Sequence, residues 1–203
     1  ARRAGAGWMR RLGAGRASQV FDLGDGRVLR RGGCPEREAT VMAEARAAGY
    51  PVPNVLEVRD EELVLELVEG PTMLADLRRR PWRLRTHARL LATLHEQLHA
   101  IPWEGQSLVH LDLHPDNVLL ARTGPVVIDW TNARGGHPAL DLALTWTICS
   151  TSGGRPGRVF ARSFAAVAGR ETIRRALPEA AALRAADPNV TGAERDAIQK
   201  LLR

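Results

Sequence analysis

Hydrophobic periodicity changes character once along the chain, at Glu69-Gly70-Pro71. Before that break the apolar residues alternate in short runs separated by glycine turns, a strand pattern. Strands are expected over 8–12, 19–23, 27–31, 55–58 and 63–68, with the Gly24-Asp25-Gly26 turn reversing the second into the third. One helix interrupts them over 35–48, where Pro35 suits the first turn and Gly49 the end. After the break the period becomes helical. Residues 83–100 carry Leu84, Ala88, Leu91, Leu94 and Leu98 on one side, and Pro102 ends the run. Strands gathered first and helices after them predict an α+β architecture, not an alternating parallel-sheet fold. The expected organisation is a small antiparallel β-sheet lobe with one helix over residues 1–68 and a mainly α-helical lobe over 69–203. Within the second lobe, short apolar runs at 118–120 and 126–128 flank a Thr123-Gly124-Pro125 turn, and a loop is expected at 152–157.

Composition removes several function classes. Net charge is +6 and the isoelectric point about 10.7, which raises the question of nucleic acid. The basic residues are nearly all arginine, however, and Lys200 is the only lysine. The densest stretch, Arg78-Arg79-Arg80 with Arg83, Arg85 and Arg89, has no interleaved aromatic except Trp82 and reads as a solvated helix end. No nucleic-acid partner is expected. A phosphate-binding P-loop needs lysine beside serine or threonine after a glycine loop, and the chain has none. No apolar run approaches the roughly 20 residues of a membrane span. Ala1-Arg2-Arg3 has no apolar segment behind it, so no secretory signal is read there. Cys34 and Cys149 show neither disulfide-scaffold nor zinc spacing, which points to the cytoplasm. Oligomeric state is not encoded in any of these features.

The chemistry concentrates in His110-Leu111-Asp112-Leu113-His114-Pro115-Asp116-Asn117 and in Val126-Val127-Ile128-Asp129-Trp130. Phosphoryl transfer asks for a carboxylate to orient and deprotonate the attacking hydroxyl, and for charge on the phosphates. Mg²⁺ takes hard oxygen ligands. Asp112 can supply the proton acceptor, and Asn117 and Asp129, on either side of a short hairpin, the metal ligands. Asp and Asn are also turn formers, and His110 and His114 suit packing roles. Upstream, Gly13-x-Gly15-x-x-Ser18 is followed by strand, turn and strand, not by the helix that a dinucleotide-binding loop opens.

The spacing His-x-Asp-x-x-x-x-Asn, with an apolar pair and Asp about a dozen residues on, resembles the aminoglycoside phosphotransferase and choline kinase-like family. Gly136-His137-Pro138-Ala139-Leu140-Asp141-Leu142-Ala143 is similar to that family's Gly-Asp-Pro-x-x-Asp-Leu-Ala signature, departing at His137. The resemblance implies a two-lobed, protein-kinase-like fold and an ATP- and Mg²⁺-dependent phosphotransferase acting on the hydroxyl of a small molecule. It implies that Gly13, Gly15 and Ser18 cover the phosphates, and that Arg30, two residues after Val28 and so on the same strand face, stands where the family carries Lys or Arg. Glu38 shares a helix face with Val41, Met42 and Ala45 and is the expected partner of Arg30, with a helix-start acid as its plainer role. The resemblance further implies an adenine-binding hinge over Glu66–Val68, and Asp141 as a buried support for the catalytic loop. Acidic residues are sparse in the C-terminal helices, where the family binds its acceptor, and the high isoelectric point does not favour a polycation.

Two other readings compete. His95-Glu96-Gln97-Leu98-His99 places two imidazoles one helical turn apart with a glutamate between, the pattern of a zinc metallopeptidase. No third ligand among Glu104, His110 and Asp112 lies at a recognised spacing. The other reading is a catalytically inactive nucleotide-binding protein of kinase-like fold, kept open by arginine in place of lysine at position 30.

Overall fold

The computed structural model describes residues 10–14 and 19–202. Strands β1 (Arg10–Ala14), β2 (Gln19–Asp22), β3 (Arg27–Arg31), β4 (Val55–Arg59) and β5 (Glu62–Glu66) form one antiparallel sheet in the order β1-β2-β3-β5-β4. Central strand β3 buries Val28, Leu29 and Arg30 in succession, as a strand covered on both faces must. β1 runs to Ala14, two residues past the end its apolar pattern suggests, and the expected start at Trp8 falls outside the described residues. β5 stops at Glu66 and not at Val68, because Leu67 N–H leaves the ladder and donates to Gly26 O at 2.8 Å.

Helix α1 (Pro35–Ala47) follows β3, with Pro35 in the first turn where a missing N–H is no loss. Its buried face is Glu38, Val41, Met42 and Ala45, as the spacing requires. Beyond the Gly70-Pro71 break, α2 (Met73–Arg79) starts on Thr72, whose hydroxyl accepts from Ala75 N–H at 3.1 Å. Helix α3 (Leu84–His99) buries Ala88, Leu91, Leu94 and Leu98, together with His87 and His95.

Short strands then carry the loops. β6 (Pro102–Trp103), β7 (Gln106–Val109) and β10 (Arg134–Gly136) form a three-stranded sheet, and β8 (Val118–Ala121) pairs with β9 (Gly124–Val127) as a hairpin. Helices α4 (Pro138–Ser152), α5 (Gly154–Ala168), α6 (Arg170–Ala186) and α7 (Gly192–Leu201) complete the chain.

The loop expected at 152–157 is mostly helix. Only Gly153 separates α4 from α5, and Pro156 sits in the first turn of α5, where proline is tolerated. Gly153 and Gly157 serve close packing there: a Cβ on Gly157 would stand 2.3 Å from Cys149 O, while Gly154 takes a left-handed φ of 58°. His137, the departure from the family signature, caps α4 by accepting from Ala139 N–H on Nδ1 at 3.1 Å.

The main apolar core runs through both parts, from Val28, Met42 and Leu63 through Leu91, Leu113 and Trp130 to Phe164, and a small second cluster joins Ala181, Val190 and Ile198. Val127 N–H donates to Pro51 O at 2.8 Å, so the β8–β9 hairpin is strapped to the segment that follows α1. The mixed α+β, kinase-like architecture read from the sequence is the one observed.

The Gly157 contact gives a direct test of helix packing. Gly157→Ala is expected to destabilise the protein by about 1–3 kcal/mol through overpacking. Gly192→Ala, where an added Cβ meets nothing within 4 Å, serves as the control and should be near neutral in urea unfolding.

Candidate active site

The loop after β7 is held from behind by Asp141, in the first turn of α4. Its carboxylate is fully buried and accepts from Leu111 N–H at 2.7 Å on Oδ1 and from His110 N–H at 3.2 Å on Oδ2. Leu111 is left-handed, with φ of 62°. That conformation is costly for a residue with a Cβ and persists where surrounding bonds over-determine it. Burial acts to raise the Asp141 pKa, but the neighbouring His95 and His99 imidazoles outweigh it and hold the carboxyl well below the usual range. His110 is buried edge-on to Trp130, 5.1 Å between ring centroids, with neither ring nitrogen hydrogen-bonded among the described residues.

The turn at Leu111 precedes Asp112, which is half-buried. Burial raises its pKa, the nearby Asp129 adds to the effect, and His114 and His110 oppose it. Asn117, at the end of a 3-10 turn, donates from Nδ2 to Asp112 O at 2.9 Å and to Asp112 Oδ2 at 3.2 Å. Its nitrogen is thereby committed and its Oδ1 left for a cation. Ile128 N–H donates to Asn117 O at 3.0 Å across the hairpin, bringing Asp129 alongside. Asp129 is also left-handed, with φ of 63°. Asn117 Oδ1 and the Asp129 carboxylate are hard oxygen donors of the kind Mg²⁺ takes.

Arg30 reaches this group from β3. It is 5% exposed, with its guanidinium hydrogen-bonded to Glu38 on one side and to Thr131 on the other, and 3.4 Å from Asp129 Oδ1. Glu38 has its pKa raised by burial, against the pull of Arg30 and with the help of Asp129. Thr131 also donates to Asp129 Oδ1 at 2.7 Å.

Asp112, Asn117 and Asp129 line a cavity of about 1150 Å³. Leu77, Leu84, Leu144, Ile148 and Phe160 provide apolar wall, and Arg184 lines the space while paired with Glu194 at 2.9 Å and Asp187 at 3.2 Å.

The structure therefore joins Arg30, Glu38 and Asp129 in one cluster and Asp112 with Asn117 in an adjoining one. Gly13 pairs with Val20 on β1, while Gly15 and Ser18 lie outside the described residues. Glu66 ends β5 with its side chain bonded to Asn54, and Val68 N–H has no acceptor among the described residues. Two participants escape the sequence reading. One is Thr131, signalled only by a hydroxyl two positions after Asp129. The other is His114, assigned above to packing, whose Nε2 lies 3.6 Å from Asp112 Oδ1. The metallopeptidase reading finds no support: His95 is fully buried, out of reach of a peptide, and Glu96, its required general base, is exposed to solvent.

Known proteins resemble this chain in sequence and in fold. Residues 62–183 match the phosphotransferase enzyme family. The uncharacterized protein YcbJ of Bacillus subtilis (strain 168) is 45% identical over 49 residues, a stretch that spans 23% of this chain and 16% of that protein. A ternary complex of a thermostable mutant of aminoglycoside phosphotransferase APH(4)-Ia with ADP and hygromycin B is similar in fold. It has a TM-score of 0.70 at 16% identity, with 96% of this chain and 93% of that chain covered. ADP-bound aminoglycoside phosphotransferase APH(2'')-Ib gives 0.68 at 14% identity, over 96% and 92% of the two chains. A choline/ethanolamine kinase family protein from Mesorhizobium loti gives 0.65 at 19% identity, over 98% and 89%. The matched family segment contains the Asp112 loop, the Asp129 hairpin and the Asp141 anchor, and the chain belongs to the phosphotransferase enzyme family.

Proposed function

We propose that this chain is an ATP- and Mg²⁺-dependent phosphotransferase that moves the γ-phosphate to a hydroxyl of a small molecule. The observation that carries this reading is the convergence of Asp112, Asn117 and Asp129 on a large cavity, backed by the Arg30–Glu38 pair. Asp112 accepts the hydroxyl proton as the acceptor oxygen bonds to phosphorus and the bond to the ADP oxygen breaks. Its raised pKa, caused first by burial, makes it a better base than a solvated aspartate. Asn117 Oδ1 and Asp129 would hold Mg²⁺, which when bound neutralises charge on the transferring phosphate. The Arg30 edge that faces Thr131 and Asp129 is placed to meet phosphate oxygens, with Glu38 fixing the other edge.

In this reading Gly13, Gly15 and Ser18 cover the phosphates and the backbone at Glu66 and Val68 meets adenine. Residues 1–68 serve the nucleotide and residues 69–203 the acceptor, in the cytoplasm, where both cosubstrates are supplied. The proteins of similar fold are named for aminoglycosides, choline and ethanolamine. Here the cavity's two further carboxylates are committed, Asp116 to Thr72 at 2.8 Å and Asp187 to Arg184. Arg78 and Arg134 line the same space. That wall supports an acceptor of low positive charge with an apolar body.

Calorimetry of Mg·ATP binding tests the core of this reading. Wild type should bind with clear Mg²⁺ dependence and Asp129→Asn should lose that dependence; a wild-type chain that binds no nucleotide would sink the proposal. Asp112→Asn should lower background ATP hydrolysis or acceptor turnover by about 10²–10⁴-fold while leaving ATP affinity in place. The base form of Asp112 is lost as pH falls through its raised pKa. The acid limb of the rate profile should therefore lie above the ordinary aspartate value of 3.8 and vanish in the Asn variant.

A further inference from the structure

Most charged side chains that line the cavity are already engaged. Asp112 and Asp129 accept from Asn117 and Thr131 and serve the reaction. Asp187 accepts from Arg184 Nη1 at 3.2 Å on Oδ2 and from Asn189 Nδ2 at 3.0 Å on Oδ1, and the rest of the Arg184 fork is bonded to Glu194. Asp116 accepts from the Thr72 hydroxyl at 2.8 Å. Arg78 and Arg134 are the exceptions. Both line the cavity and are exposed, and neither guanidinium has a hydrogen-bond or ion-pair partner among the described residues. Resting on the phosphotransferase reading, we propose that the acceptor is a hydroxylated carboxylic acid. Its hydroxyl meets Asp112, its apolar body lies on the apolar wall, and its carboxylate is held by Arg78 and Arg134.

The two arginines flank the reacting group. Arg78 is in the last turn of α2, whose capping Thr72 is bonded to Asp116 in the 3-10 turn that ends at Asn117. Arg134 opens β10, paired with Val109, which immediately precedes the loop from His110 to Asp112. Leu77, Leu84 and Phe160 share the cavity with them.

A guanidinium presents a planar fork of N–H donors that matches a carboxylate in both charge and geometry. A bound carboxylate adds one negative charge beside Asp112 and the nucleotide phosphates, where a phosphate group would add nearly two. Like-charge repulsion therefore favours the carboxylate. An ammonium group would meet two unpaired guanidinia and, beyond the reacting pair, only carboxylates that are already bonded.

The test uses the full chain and two fluorescent probes that share one apolar body. Dansylglycine ends in a carboxylate and dansylcadaverine in an ammonium. Wild type should bind dansylglycine about tenfold more tightly, the scale of one charge-assisted hydrogen bond, and the preference should shrink as salt is raised. Arg78→Gln combined with Arg134→Gln should abolish the preference without moving Tm, and Arg78→Glu should reverse it in favour of dansylcadaverine. Wild type that binds the two probes equally, prefers the ammonium or binds neither overturns the proposal. So does a double variant that keeps the preference. Mg·ATP affinity is measured on the same proteins. A double variant that loses it would assign the arginines to the nucleotide and overturn the proposal as well. Wild type that binds Mg·ATP but shows no preference between the probes ends this proposal alone, whereas wild type that binds no nucleotide ends the phosphotransferase reading itself.

Discussion

The Asp141 carboxylate is the interaction on which the rest of the site depends. A carboxylate taken wholly out of water costs several kcal/mol unless charge and hydrogen bonds repay it. Here two backbone amides and the imidazoles of α3 do so, and in the same act they fasten three elements together: α3, α4 and the loop after β7. The left-handed turn at Leu111 is the price of that fastening, and it sets the direction from which Asp112 enters the cavity.

A second fastening works from the other side. Arg30, on the central strand, holds Glu38 on α1 and Thr131 beyond the β8–β9 hairpin, so one buried guanidinium links the sheet, helix α1 and the turn that carries Asp129. Asp129 lies between this cluster and the Asp112–Asn117 pair, in contact with Arg30 and across the hairpin from Asn117. Removing either fastening would leave a buried charge without its counterpart, which is far costlier than the loss of one surface ion pair.

Much of this was legible from the sequence because it is local. Strand alternation located β3, the 3.6 period placed Glu38 with Val41 and Met42, and the spacing from Asp112 to Asn117 to Asp129 spans one loop and one hairpin. The Thr131 role was not legible, since it arises only when β3 and the hairpin meet across some hundred residues of chain. The 152–157 segment misled for a physical reason. Its glycines and proline signal a loop by propensity, whereas Gly157 is there to let α5 close on the Cys149 carbonyl and Pro156 occupies a first helical turn. His137 looked like a defect in a signature, yet it caps α4 as an aspartate would.

The shared apolar core also has a bearing on how the chain is made. Val28, Leu63 and Met42 belong to the same packed cluster as Leu91 and Phe164. The sheet is synthesised first, but part of its inner surface stays open to water until the α3 and α5 segments have left the ribosome. The amino-terminal third thus waits, incompletely buried, for partners made later, and the window in which it is open to chaperones or to wrong contacts is set by the rate of translation.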